Sequence, residues 1–304
     1  MLYSALRHCL VVALVAALVS PAAAQDATQL LRQPTVSPGH IVFAHAGELW
    51  RVGHGGGDAT RLTSFPGVAS HPRLSPDGEH VAFSGEYNGQ TDVYVVPVDG
   101  GTPERLTWHP GTDEVQGWAP DGDRVLFTSG RDSAPASYSR FWTVSREGGT
   151  PSPLAIPRAD VGRYGPDGER MVYQPIERWQ DHWRGYRGGQ THPLWIIDLD
   201  DYGTTEIPFE GGIDTRPFWV GDTIYFVSDR TDRVRNVHAY DVEDGTVRSL
   251  TSHTDFDVKT MGATEGTLVY EQGGRLHRLD LASGTSTTLD ITVQGDFPWT
   301  QSQW

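Results

Sequence analysis

RLSPDGEHVAFSG, residues 73 to 85, contains the end of one strand, a tight turn and a second strand. Pro76 fixes φ at the second turn position, Asp77 tolerates the third, and Gly78 accepts the positive φ that often follows. The residues from His80 to Ser84 are β-prone and alternate as a half-buried strand does. The stretch therefore predicts a β-hairpin, which would be only marginally stable alone.

This hairpin pattern occurs six times along the chain. The turns read SPGH at 37, SPDG at 75, APDG at 119, GPDG at 165, VGDT at 220 and ATEG at 263. The strands that follow them read IVFA, VAFS, VLFT, MVYQ, IYFV and LVYE. A third strand rich in aromatic residues or Leu comes next, and a Gly-bearing turn leads to a short fourth strand, as in TRLT, ERLT and RSLT. Each repeat therefore predicts a four-stranded antiparallel meander.

The spacing of the repeats predicts the architecture. Successive turns lie about 38 to 55 residues apart, near the ~40 to 50 residues of a propeller blade. One small sheet cannot bury both of its faces alone, so neighbouring blades must stack around an axis. The predicted fold is all-β, a six-bladed β-propeller over residues 34–293. The competing architecture, a β-sandwich, would need no repeated period.

Composition limits the classes of partner. A net charge of −15 opposes binding to nucleic acid or to an anionic membrane, because both would repel the surface. The hydrophobic content of 37% suits a soluble globular core. The acidic surface is explained most simply as a means of keeping an exported protein soluble.

Residues 1–24 have the pattern of a secretory signal. Arg7 and His8 precede an apolar run from Cys9 to Val19, and an A-x-A site predicts cleavage after Ala24. An uncleaved anchor is disfavoured because the run is shorter than the roughly 20 residues that a membrane span needs. Cys9 is the only cysteine, so the mature chain is expected to contain neither a disulfide nor a thiolate metal site. We expect a periplasmic or secreted protein.

The fourth repeat carries an insertion, QPIERWQDHWRGYRGGQTHPLW, between its second and third strands. A loop of this length is usually functional or disordered, and its aromatic content argues for order. Its candidate contact residues for a peptide or another domain are Trp183, Arg184, Tyr186 and Arg187. The two arginines could bind a carboxylate bidentately, or they could stack on Trp183 and Tyr186 and pin the loop to its blade. We favour the second role.

The sequence contains no recognisable catalytic or metal motif. It has no G-x-S-x-G elbow, no H-E-x-x-H, no Walker A loop and no cysteine nucleophile. The twelve histidines are scattered without ligand spacing, so we expect no metal and no cofactor. His71, beside Pro72, is interpreted as a strand-end or loop histidine. No catalytic residue is assigned.

WRGYRGG at 183–189, followed by an L-W-I strand, resembles a segment of tricorn proteases and their bacterial homologues. The opening QPTVSPGHIVFAHAGELWRV, the segment SDRTDRVRNVHAYDVEDGTVRSLTSHTDFDVK and the final GDFPWTQSQW extend the resemblance over the whole mature chain. PDG turns alone would be weak support, because TolB-type propellers share them.

The resemblance implies a modular serine protease in which a second propeller, a PDZ domain and a catalytic core follow this propeller. On that basis residues 25–33 are a lead-in, and residues 294–304 begin a following domain that is truncated here. The catalytic residues would lie in the downstream half. A homo-oligomer is also implied, although no residue of this sequence requires one.

One loop departs from the family pattern, and a second segment has two possible roles. In the archaeal members an Arg pair before the third blade is thought to anchor the substrate carboxylate, but HPGTDEVQGW has Asp113 and Glu114 there instead. Carboxylate anchoring by this loop is therefore not carried over. HTDFDVK, residues 253–259, could place Asp255 and Asp257 near the axis, but a loop-capping role is commoner for such residues.

Two functions remain open. The chain is either the non-catalytic gate and scaffold of an exported tricorn-like peptidase acting on oligopeptides, or a free-standing TolB-like propeller that binds a protein partner. The repeat pattern gives the first and last repeats four strands each. We therefore predict an unlatched ring, whose seam between the first and sixth blades has no backbone hydrogen bonds.

Overall fold

The computed structural model describes residues 27–133, 138–176, 184–189, 191–209, 211–231 and 233–297. The predicted signal segment, 1–24, and the candidate residue Trp183 lie outside these ranges. The described part of the chain contains no helix long and apolar enough to cross a membrane.

The described chain forms six four-stranded antiparallel blades in sequence order. Blade 1 contains β1 (Arg32–Val36), β2 (Ile41–His45), β3 (Glu48–Gly53) and β4 (Gly56–Arg61). Blade 2 contains β5 (Val68–Leu74), β6 (His80–Glu86), β7 (Thr91–Pro97) and β8 (Glu104–Arg105). Blade 3 contains β9 (Asp113–Trp118), β10 (Arg124–Ser129), β11 (Arg140–Ser145) and β12 (Ser152–Pro153).

The second half of the ring repeats this order. Blade 4 contains β13 (Val161–Tyr164), β14 (Arg170–Gln174), β15 (Trp195–Asp198) and β16 (Thr204–Glu206). Blade 5 contains β17 (Asp214–Val220), β18 (Thr223–Ser228), β19 (Asn236–Asp241) and β20 (Val247–Ser249). Blade 6 contains β21 (Val258–Thr264), β22 (Thr267–Gln272), β23 (Arg275–Asp280) and β24 (Ser286–Thr288), and β25 (Ile291–Val293) follows it.

The first strands of the blades surround a common axis. Each contacts the first strand of the next blade, and β21 of blade 6 contacts β1 of blade 1, so the ring is closed. The predicted six-bladed β-propeller is confirmed.

The SPDG turn has the predicted geometry. Gly78 has φ 75°, its N–H donates to the carbonyl oxygen of Ser75 at 2.9 Å, and Ser75 N–H donates to the carbonyl oxygen of His80 at 2.9 Å. Gly122 and Gly168 repeat the same positive φ in blades 3 and 4. The glycines recur because this turn needs a left-handed residue that an L side chain would strain.

The blades are held together by apolar side chains of their second and third strands. Between blades 1 and 2, Val42 and Leu49 pack with Val81, Phe83 and Val96, all fully buried. Similar clusters lie between the other neighbouring blades. This packing is the burial that a single blade cannot achieve alone.

The Thr of the fourth-strand motif binds the start of the third strand. Thr63 Oγ1 accepts from the N–H of Leu49 at 3.0 Å, and Thr107 Oγ1 accepts from that of Val93 at 3.0 Å. Thr251 does the same for Val237 at 2.9 Å. The RLT and SLT sequences recur because this hydroxyl satisfies a buried backbone donor.

The seam between blades 6 and 1 corrects one prediction. Both blades do supply their own four strands, but β25 then pairs in parallel with β4 and gives the blade 1 sheet a fifth strand. The N–H groups of Gly57 and Thr28 donate to the carbonyl oxygens of Asp290 and Ile291 at 2.7 and 2.8 Å. The prediction of a seam without backbone hydrogen bonds is therefore wrong. β4 is the outermost of the four strands of blade 1, and the unpaired backbone groups of an edge strand can bind another strand.

Candidate functional site in the axial channel

The first strands of five blades contain a β-bulge at nearly the same place. In blades 1, 2 and 5 the bulge is formed by Gln33, His71 and Arg216, each followed by Pro and each with a φ between 51° and 55°. Pro is tolerated in a strand at a bulge because the ladder there lacks a hydrogen bond. The bulges thus redirect one polar side chain per blade.

Three of the redirected or neighbouring side chains meet across blades. His71 Nε2 lies 3.3 Å from Gln33 Nε2 and 3.6 Å from the Glu114 carboxylate, and Gln33 Oε1 accepts from His71 N–H at 2.8 Å. Gln33, His71 and Glu114 belong to blades 1, 2 and 3. His71 therefore lies inside a strand and not at a strand end or in a loop, which corrects our interpretation.

Two arginines occupy equivalent positions further along their strands. Arg73 precedes the SPDG turn by two residues and Arg163 precedes the GPDG turn by two residues, and both are buried. Their guanidinium carbons lie 5.6 Å and 4.5 Å from the ring centroid of Phe218 in blade 5. The Arg163 side chain passes over Gly117, where an added Cβ would lie 3.2 Å from Arg163 Cδ. Gly117 therefore leaves the space that this side chain uses.

Backbone carbonyls hold part of each guanidinium. Arg73 Nε donates to the carbonyl oxygen of Gln116 at 3.1 Å, and Arg163 Nη1 donates to that of Gly162 at 2.7 Å. Arg163 Nε is buried without a hydrogen-bond partner among the described residues. A buried guanidinium N–H without an acceptor is costly, because it has lost its water.

Burial and the neighbouring charges shift the pKa values of the axial residues. Burial, and then the nearby Arg216 charge, lowers the pKa of Arg73 to about 10, while Glu114 acts in the opposite direction. Burial, with Arg73 and Arg216, holds the pKa of Arg163 well below its ordinary value. Burial lowers the pKa of His71 to about 4 against the attraction of Glu114. His71 is therefore neutral at pH 7, and the axial charge comes from arginine.

A cavity opens beside these arginines at the end of the axis that carries the SPDG-type turns. Its volume is about 240 Å³, and Arg73, Arg163, Trp118, Phe218 and Trp219 are among its lining residues. The arrangement offers guanidinium groups and aromatic faces to a small anionic group, which suits anion binding.

Other arginines near the blade ends are neutralised locally. Asp113 pairs with Arg131, and Asp214 pairs with Arg230 at 2.6 Å. Both aspartates are fully buried. The acidic Asp113 of the HPGTDEVQGW loop is thus an internal ion-pair partner, and Glu114 lies beside His71.

The insertion of blade 4 is bound to blades 5 and 6. Arg187 Nη1 donates to Asp229 Oδ2 at 2.9 Å, and its Nη2 donates to the Asp229 carbonyl oxygen at 3.0 Å. Arg184 Nε lies 3.2 Å from Asp257 Oδ1, and its Nη2 donates to the carbonyl oxygen of Asp255 at 3.2 Å. These contacts hold residues 184–189 to neighbouring loops. Peptide or interdomain contact by Arg184, Tyr186 and Arg187 stays a prediction.

The HTDFDVK segment has capping contacts. Asp257 Oδ1 accepts from Arg235 N–H at 3.0 Å, and Asp255 Oδ1 accepts from the Gln272 side chain at 2.9 Å.

The described ranges contain one group of potential metal ligands, Asp77, Glu79 and His80. Asp77 Oδ1 already caps its turn by accepting from Glu79 N–H at 2.9 Å, so we assign no metal there.

The axial arginines were missed by sequence reasoning because they are distant in the chain. A usable signal existed: Arg73 and Arg163 have the same offset from their turns, and Gln33, His71 and Arg216 each precede Pro. Aligning the repeats on their turns would have placed these residues on the axis.

The fold and site define a six-bladed β-propeller with an arginine-bearing axial cavity. The chain belongs to the family of tricorn protease N-terminal β-propeller domains, whose family model matches residues 28–285. Tricorn protease homolog 1 of Streptomyces coelicolor is 33% identical over 269 residues, which is 84% of this chain and 24% of that protein. Tricorn protease of Thermoplasma acidophilum is 25% identical and is covered to the same 24%, against 82% of this chain.

Solved structures agree on the fold. The crystal structure of the tricorn protease matches 88% of this chain and 27% of its own, with a TM-score of 0.77 and 23% identity. TolB from Acinetobacter baumannii matches 85% of this chain and 62% of its own, with a TM-score of 0.64 and 17% identity. The chain spans about a quarter of the length of the curated relatives it matches.

Proposed function

We propose that this chain is the non-catalytic propeller of an exported tricorn-like serine peptidase acting on oligopeptides, and that its axial cavity binds and steers peptides. The observation that supports this most is the axial placement of Arg73 and Arg163 in a chain of net charge −15. A local positive site in an otherwise acidic protein attracts an anionic group to the axis.

Two features add support. Trp118 and Trp219 line the cavity beside the arginines, and aromatic faces suit peptide side chains. The family's other members are named as proteases or their homologues, and each is about four times as long as the part matched here. The downstream propeller, PDZ and protease domains are proposed partners within the same polypeptide, and a homo-oligomer is proposed with them.

Calorimetric titration of the full chain with tetra- to hexapeptides tests the proposal. We expect saturable binding at one site and no hydrolysis of the peptide, since the chain carries no recognisable nucleophile and base pair. Absence of binding at millimolar peptide would contradict the steering role. Peptide hydrolysis that survives removal of contaminants would contradict the non-catalytic role.

A free-standing TolB-like scaffold that binds a protein is the second candidate. It is favoured by exposed apolar side chains at or shortly before the starts of first strands, namely Leu30, Phe65, Val68, Trp108 and Phe256. Exposed apolar patches are typical of a protein contact. The coding sequence after Trp304 separates the candidates: a protease core supports the first, and an immediate stop codon supports the second.

A further inference from the structure

The axial cavity contains an unusual balance of charge. Arg73 and Arg163 are buried, and Arg216 is near enough to depress the pKa of both. Glu114 is the carboxylate whose charge acts on all three of His71, Arg73 and Arg163. Since arginine keeps its proton at neutral pH, like charges remain close together in a poorly solvated space.

The donors of these arginines are only partly used by the protein. Arg73 Nε and Nη1 donate to the carbonyl oxygens of Gln116 and Pro72. Arg163 Nη1 donates to the carbonyl oxygen of Gly162 and, at 3.5 Å, to Gln116 Oε1. The buried Arg163 Nε has no partner within the described ranges. An anion in the adjoining cavity would supply both an acceptor and the missing negative charge.

The ring of residues at this level explains where the space comes from. The positions that match Arg73 and Arg163 in other blades are Thr35, Gly117, Phe218 and Gly262. Gly262 lets Thr35 approach closely, because an added Cβ would lie 2.7 Å from Thr35 Cα. Gly117 accommodates Arg163, and the Phe218 ring faces both arginines. In blade order the six positions are therefore Thr35, Arg73, Gly117, Arg163, Phe218 and Gly262. Small residues flank each arginine on at least one side, and one position is aromatic.

We propose that this level of the axis is a carboxylate-binding site, in which Arg73 and Arg163, supported by Arg216, hold the free carboxylate of a peptide. Naming a peptide as the source of the carboxylate rests on the proposed function; the anion site itself does not.

The cavity volume of about 240 Å³ leaves room for a carboxylate and the residue that carries it. A C-terminal carboxylate and an Asp or Glu side chain offer the same two oxygens to a guanidinium. The site therefore selects for the charged end of a peptide over an amidated end, and it tolerates different side chains.

The test uses the full chain and two peptides, acetyl-Ala-Ala-Ala with a free carboxylate and its C-terminal amide. Binding is followed by the fluorescence of Trp118 and Trp219, which line the cavity, and by calorimetry. We expect the acid to bind about tenfold to a hundredfold more tightly than the amide, as for loss of a charge-assisted hydrogen bond. A third peptide, the amide with Glu replacing the last Ala, measures whether a side-chain carboxylate substitutes.

Arg163→Gln is expected to reduce the preference for the acid to less than threefold. Arg248→Gln, which removes the same charge from an exposed position on β20, is the matched control and is expected to leave the preference unchanged. If Arg163→Gln does not fold, Arg216→Gln replaces it, because Arg216 is only partly buried. Equal loss of preference in Arg248→Gln would mean that overall charge is responsible, and the site would be rejected.

The two proposals fail differently. Equal binding of acid and amide by the wild type would overturn the carboxylate site and leave peptide binding standing. If neither peptide binds, the proposed function fails, and the site is then judged by sodium acetate. A rise in unfolding temperature with acetate that exceeds the rise with sodium chloride, and that disappears in Arg163→Gln, supports the site. No such difference overturns it.

Discussion

At the scale of single residues, arginine has two distinct environments in this propeller. Arg131 and Arg230 are bound to fully buried aspartates that begin the first strands of blades 3 and 5. Arg163 is buried next to other arginines and the Phe218 ring. A buried charge stabilises the fold only where its partner is present, so the two kinds of arginine should respond oppositely to removal of the charge.

Replacing Arg131 by Met is expected to lower the free energy of unfolding by about 3 to 5 kcal/mol, because Asp113 is left buried without its partner. Arg163→Met keeps the volume and removes a repelled charge, so we expect a change of less than about 1 kcal/mol or a small gain. Urea unfolding of both variants at pH 7 measures the difference. Equal destabilisation would show that Arg163 is a structural cation.

Two buried histidines predict a loss of stability in weak acid. Burial lowers the pKa of His71 and of His238 to about 4, against an ordinary value of 6.5. Between pH 6.5 and 4 the unfolded chain therefore binds protons that the folded chain does not. The free energy of unfolding should fall with falling pH in this window, by up to about 1.4 kcal/mol per pH unit for each histidine.

The variant His71→Asn isolates one of these contributions, since Asn tolerates the positive φ at this position. Its stability at pH 8, where both histidines are neutral, measures the packing cost alone. We expect a shallower decline than wild type between pH 6.5 and 4. An unchanged slope would mean that His71 is protonated in the folded state.

At the scale of elements, the insertion of blade 4 is joined to its neighbours by two arginines in different surroundings. Arg187 binds Asp229, whose side chain is 0% exposed and also accepts from Ile213 N–H at 2.7 Å. The Arg184 side chain is 47% exposed. The Arg187 contact supplies the charged partner of a buried carboxylate, and the Arg184 contact involves a side chain near the surface.

Arg187→Ala is therefore expected to cost about 2 kcal/mol or more, because a buried carboxylate loses its charge partner. Arg184→Ala, the matched control in the same segment, is expected to cost less than about 1 kcal/mol. Thermal and urea unfolding report both. A similar cost for the two would show that exposure does not set the strength of these contacts.

At the scale of the whole molecule, closure depends on a short strand added from the end of the ring. Ile291 and Val293 of β25 are buried in the cluster that also contains Phe43 and Trp50 of blade 1. The strand thus contributes both a hydrogen-bonded edge and apolar burial at the seam, which is otherwise the junction most easily opened in a ring of repeats.

A chain ending at Asp290 is expected to be less stable by about 3 to 5 kcal/mol than one ending at Gln294, since burial of a Val or Ile side chain contributes roughly 1.5 to 3 kcal/mol. Hydrogen exchange should show the loss first at Gly57 to Ala59, the residues paired with β25. Unchanged protection there would mean that blades 1 and 6 hold the ring closed without β25.

The sequence by itself determined the number of blades, the turn chemistry and the family. These properties depend on local patterns, such as the PDG turns and alternating strands, and the patterns are repeated at a regular spacing. The insertion was also recognisable, because it interrupts that spacing. Its role was not, since the partners of Arg184 and Arg187 lie in blades 5 and 6.

Only the tertiary structure decided the seam and the axis. β25 pairs with residues more than 230 positions earlier, and the sequence of a three-residue strand carries no signal for that pairing. The axial arginines come from blades 2, 4 and 5, namely Arg73, Arg163 and Arg216. They lie close together because ring closure brings the first strands of all blades around one axis. Contacts between residues far apart in sequence are set by closure of the whole ring. The repeat pattern can place residues on the axis, but it does not show which of them touch.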